Sequence, residues 1–67
     1  MDEKEFEQRQ DEILKDIPEE FHSAVKWHAY DHGHAFGYEE VLIHVHNLVD
    51  MLKEPIIKYT ERLNKSR

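Results

Sequence analysis

The histidines carry the clearest chemical signal in this sequence, because five of the six lie between residues 28 and 46. His28 and His32 are four residues apart, and Asp31 lies three residues after His28. On a helix, side chains at these spacings project from one face and can reach the same divalent ion. His28, Asp31 and His32 are therefore candidate ligands for a metal such as zinc, with further ligands supplied by another helix or subunit.

Structural roles for the same histidines are the alternative to a metal site. Imidazole rings can hydrogen-bond along the seams between helices, or they can simply face solvent. The sequence also lacks the H-E-x-x-H pattern of zinc metalloproteases. We adopt this second interpretation, in which the protein has no cofactor, and keep zinc as the metal of the alternative.

Residues that could carry a reaction are sparse. Ser23, Thr60 and Ser66 stand outside any nucleophile motif. The segment 33–37, Gly-His-Ala-Phe-Gly, lacks the Lys-Ser/Thr pair of a phosphate-binding loop. A general base also needs a pocket that shifts its pKa, and a short helical chain has little room for one. We expect the protein not to be an enzyme.

The length and the charge of the chain limit the class of protein. A chain of 67 residues without cysteine must stabilise a small core without a disulfide, which favours self-association. Residues 1–20 hold nine acidic and three basic side chains, so they carry the whole net charge of −6. Nucleic-acid binding needs clustered lysine and arginine, and is therefore not expected. A solvated acidic helix fits this charge, and so does a surface for a basic protein.

Neither a membrane segment nor a signal peptide is expected from the sequence. No apolar run reaches the roughly 18 residues that cross a bilayer. The first residues, 1–6, are acidic and lack the apolar stretch of a secretory signal. We therefore expect a cytoplasmic protein without a membrane partner.

The apolar pattern predicts a single all-α domain. Residues 1–17 predict an acidic N-terminal helix with a thin apolar face, which ends before Pro18. Residues 18–53 predict one long central helix, because apolar side chains recur at three- and four-residue steps. Pro55 interrupts that pattern, so residues 55–64 predict a separate short helix.

Gly33 and Gly37 leave two interpretations of the central helix open. In the first, the helix is continuous, and Ala29, Gly33 and Gly37 form a groove of small residues that another backbone can approach closely. In the second, Gly33 ends one helix in a left-handed conformation, and a turn leads to a new helix that begins at Tyr38. We favour the continuous helix, because the apolar stripe stays in phase across both glycines.

The segment around these glycines resembles small uncharacterised accessory proteins of tailed bacteriophages. Such proteins carry a Tyr-x-x-Gly-His-x-x-Gly-x-x-Glu-Val core, followed by an apolar helix. The matching residues here are Tyr30, Gly33, His34, Gly37, Glu40 and Val41. The resemblance covers residues 27–57 and implies a context rather than a mechanism. Phage proteins of this kind often bind and inhibit a host enzyme or defence component, so the implied partner is a protein of the host-cell cytoplasm.

These observations together predict a helical hairpin, with one long central helix, that assembles into a homodimer or a larger helical bundle. The predicted interface between subunits follows the aromatic and apolar stripe and comprises Trp27, Ala29, Gly33, Gly37, Tyr38, Val41, Val45, Leu48 and Leu52. The predicted function is that of a small acidic accessory protein that binds and inhibits a host protein. A helical oligomer that binds a metal or a small molecule is the alternative.

Overall fold

Three helices form the part of the protein that the structure describes. The computed structural model describes residues 1–65, and helix makes up 89% of it, without strands in that part of the chain. The helices are α1 at Glu3–Leu14, α2 at His22–Gly33 and α3 at Tyr38–Lys65, with short 3-10 turns at Glu19–Phe21 and His34–Phe36. The all-α prediction is confirmed at this level.

Helix α1 begins with a side-chain cap and ends at a proline corner. The carboxylate of Asp2 accepts a hydrogen bond of 2.8 Å from the backbone N–H of Glu5, which satisfies one free donor of the first turn. The helix ends at Leu14, three residues earlier than the sequence predicted. Pro18 disfavours the helical conformation at Ile17, so the chain leaves the helix before it.

The corner between α1 and α2 is held by a histidine. The backbone carbonyl of Ile17, in this corner, accepts a hydrogen bond of 2.9 Å from Nε2 of His22, the first residue of α2. Ile17 is itself buried, with 4% of its surface exposed. Pro18 and the turn at Glu19–Phe21 precede α2, so the second helix starts four residues later than the sequence predicted.

The chain turns at the glycines, which corrects the continuous helix predicted over residues 18–53. Helix α2 ends at Gly33, and α3 starts at Tyr38. Gly37 has a φ of 97° and a ψ of −179°, a conformation that is essentially restricted to glycine. The glycine with positive φ is therefore Gly37, whereas Gly33 has a φ of −110°.

Gly33 instead permits a close approach of two helices. A Cβ atom at this position would lie 2.9 Å from the Cα of Val41 and 3.1 Å from the carbonyl carbon of Glu40. The backbone of the first turn of α3 thus occupies the groove of small residues that the sequence predicted. The helix that crosses this groove belongs to the same chain, because the turn at Gly37 folds α3 back onto α2.

Helix α3 continues through Pro55, which corrects the separate helix predicted at residues 55–64. A proline inside a helix removes one hydrogen bond, here the bond to the carbonyl of Met51. Met51 is 72% exposed, so water can bond that carbonyl. The next residue, Ile56, is only 8% exposed, and its burial helps to hold the helix together across the proline.

The core lies where α3 packs against both α1 and α2. All three helices and the first corner contribute to it, and its buried members are Leu14, Ile17, Val25, Ala29, Val41, Val45, Val49 and Ile56. Leu14, Ala29 and Val45 have no exposed surface at all. This small shared core is what positions the surfaces of α1 and α2 relative to each other.

Four of the nine residues predicted at the subunit interface belong to this interior. Ala29, Gly33, Val41 and Val45 are buried within one chain, so they are not available to a second subunit. The reason is the turn at Gly37, which covers the stripe with the chain's own helix. Within residues 1–65, no helix has the length and apolarity needed to span a bilayer.

Candidate protein-interaction surface

A groove between α1 and α2 combines exposed aromatic side chains with acidic ones. Its volume is about 460 Å³, and it is lined by Glu3, Phe6, Glu7, Gln10, Lys26, Trp27 and Tyr30. We call it the aromatic groove. Trp27 is 63% exposed, although it is the only tryptophan of the chain. A contiguous apolar patch with a polar rim is typical of an interaction site, and tryptophan and tyrosine are enriched among the residues that dominate binding.

Neighbouring side chains hold the aromatic rings of this groove in place. The rings of Trp27 and Tyr30 meet edge to face, with centroids 6.3 Å apart and planes at 85°. The ring of His34 stacks on the other side of Tyr30 at 5.2 Å. Phe6 of α1 stacks on Tyr38, with centroids 4.5 Å apart, and so connects the groove to the start of α3. The groove is therefore formed before any ligand arrives.

Two carboxylates that line the aromatic groove form no ion pair with another described residue. Neither Glu3 nor Glu7 takes part in a salt bridge within the part of the chain that the structure describes. The groove's one cation, Lys26, points to Asp11 of α1, with a distance of 3.7 Å between Nζ and Oδ1. The groove thus presents free negative charge beside the faces and edges of aromatic rings.

A second and larger groove, of about 690 Å³, lies between α1 and α3. Its apolar floor includes Ile13, Leu42 and Ile43, and the sequence analysis did not identify it. Three of its charged or ionisable side chains are already engaged, Arg9 with Glu5, Glu12 with Lys15 and His46 with Asp50, whereas Glu39 forms no salt bridge among residues 1–65. The groove thus offers apolar area and one free carboxylate, and no phenylalanine, tyrosine or tryptophan lines it.

Two of the three predicted metal ligands do lie together. The rings of His28 and His32 are 4.5 Å apart between centroids. The third neighbour is His44 of α3, 5.9 Å from His32, and not Asp31. Among residues 1–65, no three histidine, aspartate or glutamate side chains converge closely enough to hold a metal ion.

Hydrogen bonds engage one ring nitrogen of His32 in α2 and one of His34, the first residue after α2. Nδ1 of His32 donates to the carbonyl of His28 at 3.0 Å, and Nδ1 of His34 donates to the carbonyl of Tyr30 at 3.0 Å. Each bond spans one helical turn, and at Tyr30 it adds to the bond that the backbone N–H of His34 donates to the same carbonyl. Both side chains are exposed and bond the backbone one turn before them, and neither bond crosses a seam between helices as the sequence analysis suggested.

The other predicted interface residues divide between the surface and the edge of the core. Trp27 and Tyr38 are exposed, and Tyr38 is 38% exposed despite its stacking on Phe6. Leu48 and Leu52 are half-buried and pack against the core. A Cβ atom at Gly37 would meet no atom within 4 Å, so this glycine faces open space.

The aromatic groove combines exposed tryptophan and tyrosine side chains with two free carboxylates, Glu3 and Glu7. The α1–α3 groove has one free carboxylate and none of these aromatic residues. No protein-family model, no curated protein and no solved structure matches this chain.

Proposed function

We propose that this protein acts by binding another protein, and that its aromatic groove receives an arginine or lysine side chain of that partner. The observation that supports the proposal is the pair of unpaired carboxylates, Glu3 and Glu7, in the same groove as the exposed rings of Trp27 and Tyr30. A cation that enters the groove meets both kinds of attraction at once. The proposal makes this chain an interaction protein and not an enzyme.

Arginine suits this groove better than lysine does. Its flat guanidinium can stack on the indole of Trp27 and still direct N–H donors at a carboxylate in the same plane. A cation–π contact contributes about 0.5–1 kcal/mol at an exposed site. Glu3 and Glu7 are exposed, and an ion pair between exposed side chains contributes about 0.2–1 kcal/mol. The carboxylates and the rings therefore contribute similar amounts, and the rings also fix the position of the side chain.

The charge of the whole chain supports a basic partner. The net charge is −6, and the acidic excess lies in the segment that includes α1, which forms one side of the groove. Such a field raises the rate of encounter with a positively charged surface and disfavours acidic competitors. The resemblance to phage accessory proteins extends the proposal: the partner is a host enzyme or defence component, which the bound protein inhibits in the host cytoplasm.

Affinity capture from a bacterial extract, with variants of the groove, tests the proposal. We expect the wild-type protein to retain one or a few basic proteins, and Trp27→Ala to lose them. The double variant Glu3→Gln/Glu7→Gln should bind about tenfold more weakly or worse, because about 1.4 kcal/mol corresponds to a factor of ten. Circular dichroism should show the same helix content in every variant.

Met51→Ala is the matched control, because Met51 is 72% exposed and does not line the groove. This variant should retain the same proteins as the wild type. The affinity of the captured partner should also fall as salt is added, because screening weakens exposed charge pairs. Capture of the same proteins at equal strength by Trp27→Ala would contradict the proposal.

Zinc binding at the histidines is the alternative function from the sequence: the rings of His28 and His44 both lie near that of His32, although no three such side chains among residues 1–65 converge on one point. An ion that binds only the folded protein raises its melting temperature, and a chelator reverses the effect. Under the interaction proposal we expect the melting temperature to stay unchanged when EDTA is added to the protein purified from cells. A clear decrease with EDTA, recovered with added zinc and absent in His32→Ala, would support the metal function instead.

A further inference from the structure

The apolar stripe of α3 continues beyond the part that the rest of the chain covers. Val45 and Val49 are buried at 0% and 2% exposure, and Ile56 at 8%. The next members of the stripe, Tyr59 and Leu63, are 50% and 46% exposed. The spacing of four and three residues is the same throughout, so the exposed part continues the core-facing surface of α3.

A groove opens beside this exposed part of the helix. It is lined by Glu20, Phe21, Leu52, Pro55, Ile56 and Tyr59, and its volume is about 460 Å³. We call it the corner groove, because Glu20 and Phe21 belong to the turn that precedes α2. The longest dimension of the molecule is 44 Å, which is about the length of a 28-residue helix such as α3. The end of α3 therefore extends beyond the region where α1 and α2 pack against it.

We propose that the corner groove and the end of α3 form a dimer interface, in which a second copy of the chain lies antiparallel to the first. Leu52, Ile56, Tyr59 and Leu63 follow one another at steps of four, three and four residues. This series reads the same in both directions. An antiparallel copy therefore places Leu63 of the partner subunit against Leu52, and the partner subunit's Tyr59 at the corner groove, where Ile56 is already buried by its own chain.

The charges around the interface favour the antiparallel direction. Residues 16–20 at the corner hold three acidic side chains and no basic one. Residues 58–65, at the end of α3, hold three basic side chains and one acidic one. An antiparallel arrangement brings the basic end of each α3 to the acidic corner of the other copy, whereas a parallel one would place the two basic ends side by side. Like charges in that position would repel.

The proposed interface involves none of the side chains that line the aromatic groove, so it is independent of the proposed function. It also replaces the interface predicted from the sequence. Of the nine residues predicted there, only Leu52 belongs to the corner groove. The short length of the exposed stripe indicates a small interface, which falls in the class of weak and reversible associations.

Sedimentation equilibrium over a range of protein concentrations tests the dimer. We expect the wild-type protein to pass from monomer to dimer as its concentration rises, and Leu63→Glu to raise the dissociation constant about tenfold or more. Leu63 is half exposed in the single chain, so this variant should keep its helix content and melting temperature in dilute solution. A wild-type protein that stays monomeric at every concentration would overturn the proposal.

Ile57→Glu is the matched control, because Ile57 is 57% exposed and follows Ile56 around the helix by about 100°. We expect it to dimerise as the wild type does. Ile43→Glu changes the α1–α3 groove in the same way and should also leave the dimer intact. Loss of the dimer in Ile43→Glu, with Leu63→Glu unaffected, would assign the interface to the α1–α3 groove and overturn the proposal.

Single cysteines test the register, since the natural sequence contains none. A mixture of Leu52→Cys and Leu63→Cys proteins should form a disulfide between the two different variants under mild oxidation. Leu63→Cys alone should not cross-link efficiently, because eleven residues of helix, about 16 Å, would separate the two sulfurs along the axis. Rapid cross-linking of Leu63→Cys with itself would show a parallel arrangement and overturn the register.

Discussion

Gly33→Ala is expected to destabilise the protein by about 1–3 kcal/mol, the usual range for extra atoms in a packed interior. The added Cβ would lie 2.9 Å from the Cα and the backbone nitrogen of Val41. Both are backbone atoms of α3, so they cannot move aside as a side chain would, and α2 and α3 must separate. A domain of this size loses about 4–8 °C of melting temperature per kcal/mol. Thermal denaturation followed by circular dichroism measures the effect.

Gly37 provides the control for this prediction, because its backbone is unusual and its surroundings are empty. Gly37→Ala should also destabilise the protein, but through the φ of 97° that an L residue rarely adopts. A synthetic chain with D-alanine at Gly37 should be as stable as the wild type or more so, since D-alanine prefers positive φ. An unchanged melting temperature for Gly33→Ala would show that the helices do not meet at Gly33.

The two glycines also show why the sequence alone favoured the wrong path for the chain. The apolar stripe stays in phase from Trp27 to Leu52, and an in-phase stripe is what a continuous helix requires. A turn of suitable length gives the same phase, however, because both helices pack on one core. Local pattern does not distinguish the two cases, and the deciding contact is the one between Gly33 and the backbone of Val41.

At Pro55 the sequence predicted a break in the helix, whereas α3 continues through this residue. An internal proline usually ends a helix, since it costs about 3 kcal/mol there. In this chain the apolar residues on both sides, Leu52 and Ile56, pack against the same body, and that tertiary contact keeps the helix continuous. The apolar stripe already contained Val41 and Val45, although the sequence analysis placed them at an interface between subunits and the structure buries them within one chain.

The candidate site was only partly visible in the sequence. Trp27 and Tyr30 could be recognised as surface anchors or core residues, but the choice between these roles depends on what covers them. The partners of Trp27 in the aromatic groove, Glu3 and Glu7, lie twenty or more residues away in the chain. Their proximity follows from the packing of α1, which periodicity does not reveal. His44 was likewise separated from His32 by the turn.

The acidic helix α1 is therefore part of the fold and not only a solvated extension. We expect Leu14→Ala to lower the free energy of unfolding by about 2–5 kcal/mol, since Leu14 has no exposed surface and lies in the core. Domains are stabilised by about 0.05–0.15 kcal/mol per residue, so the total here is about 3–10 kcal/mol. The loss is a large part of it. Urea denaturation at equilibrium measures the change.

Met51→Ala is again the appropriate control, because it removes a similar volume at a site that is 72% exposed, and it should change stability by less than about 0.5 kcal/mol. An equal effect of the two substitutions would mean that α1 is not packed in the core.

The Leu14→Ala variant also connects the stability of the fold to binding. Leu14→Ala changes none of the side chains that line the aromatic groove, yet it weakens the packing of α1, the helix that carries Glu3 and Glu7. If the groove is the binding site, the partner's affinity should fall with the fraction of folded protein, and ligand should raise the melting temperature of this variant.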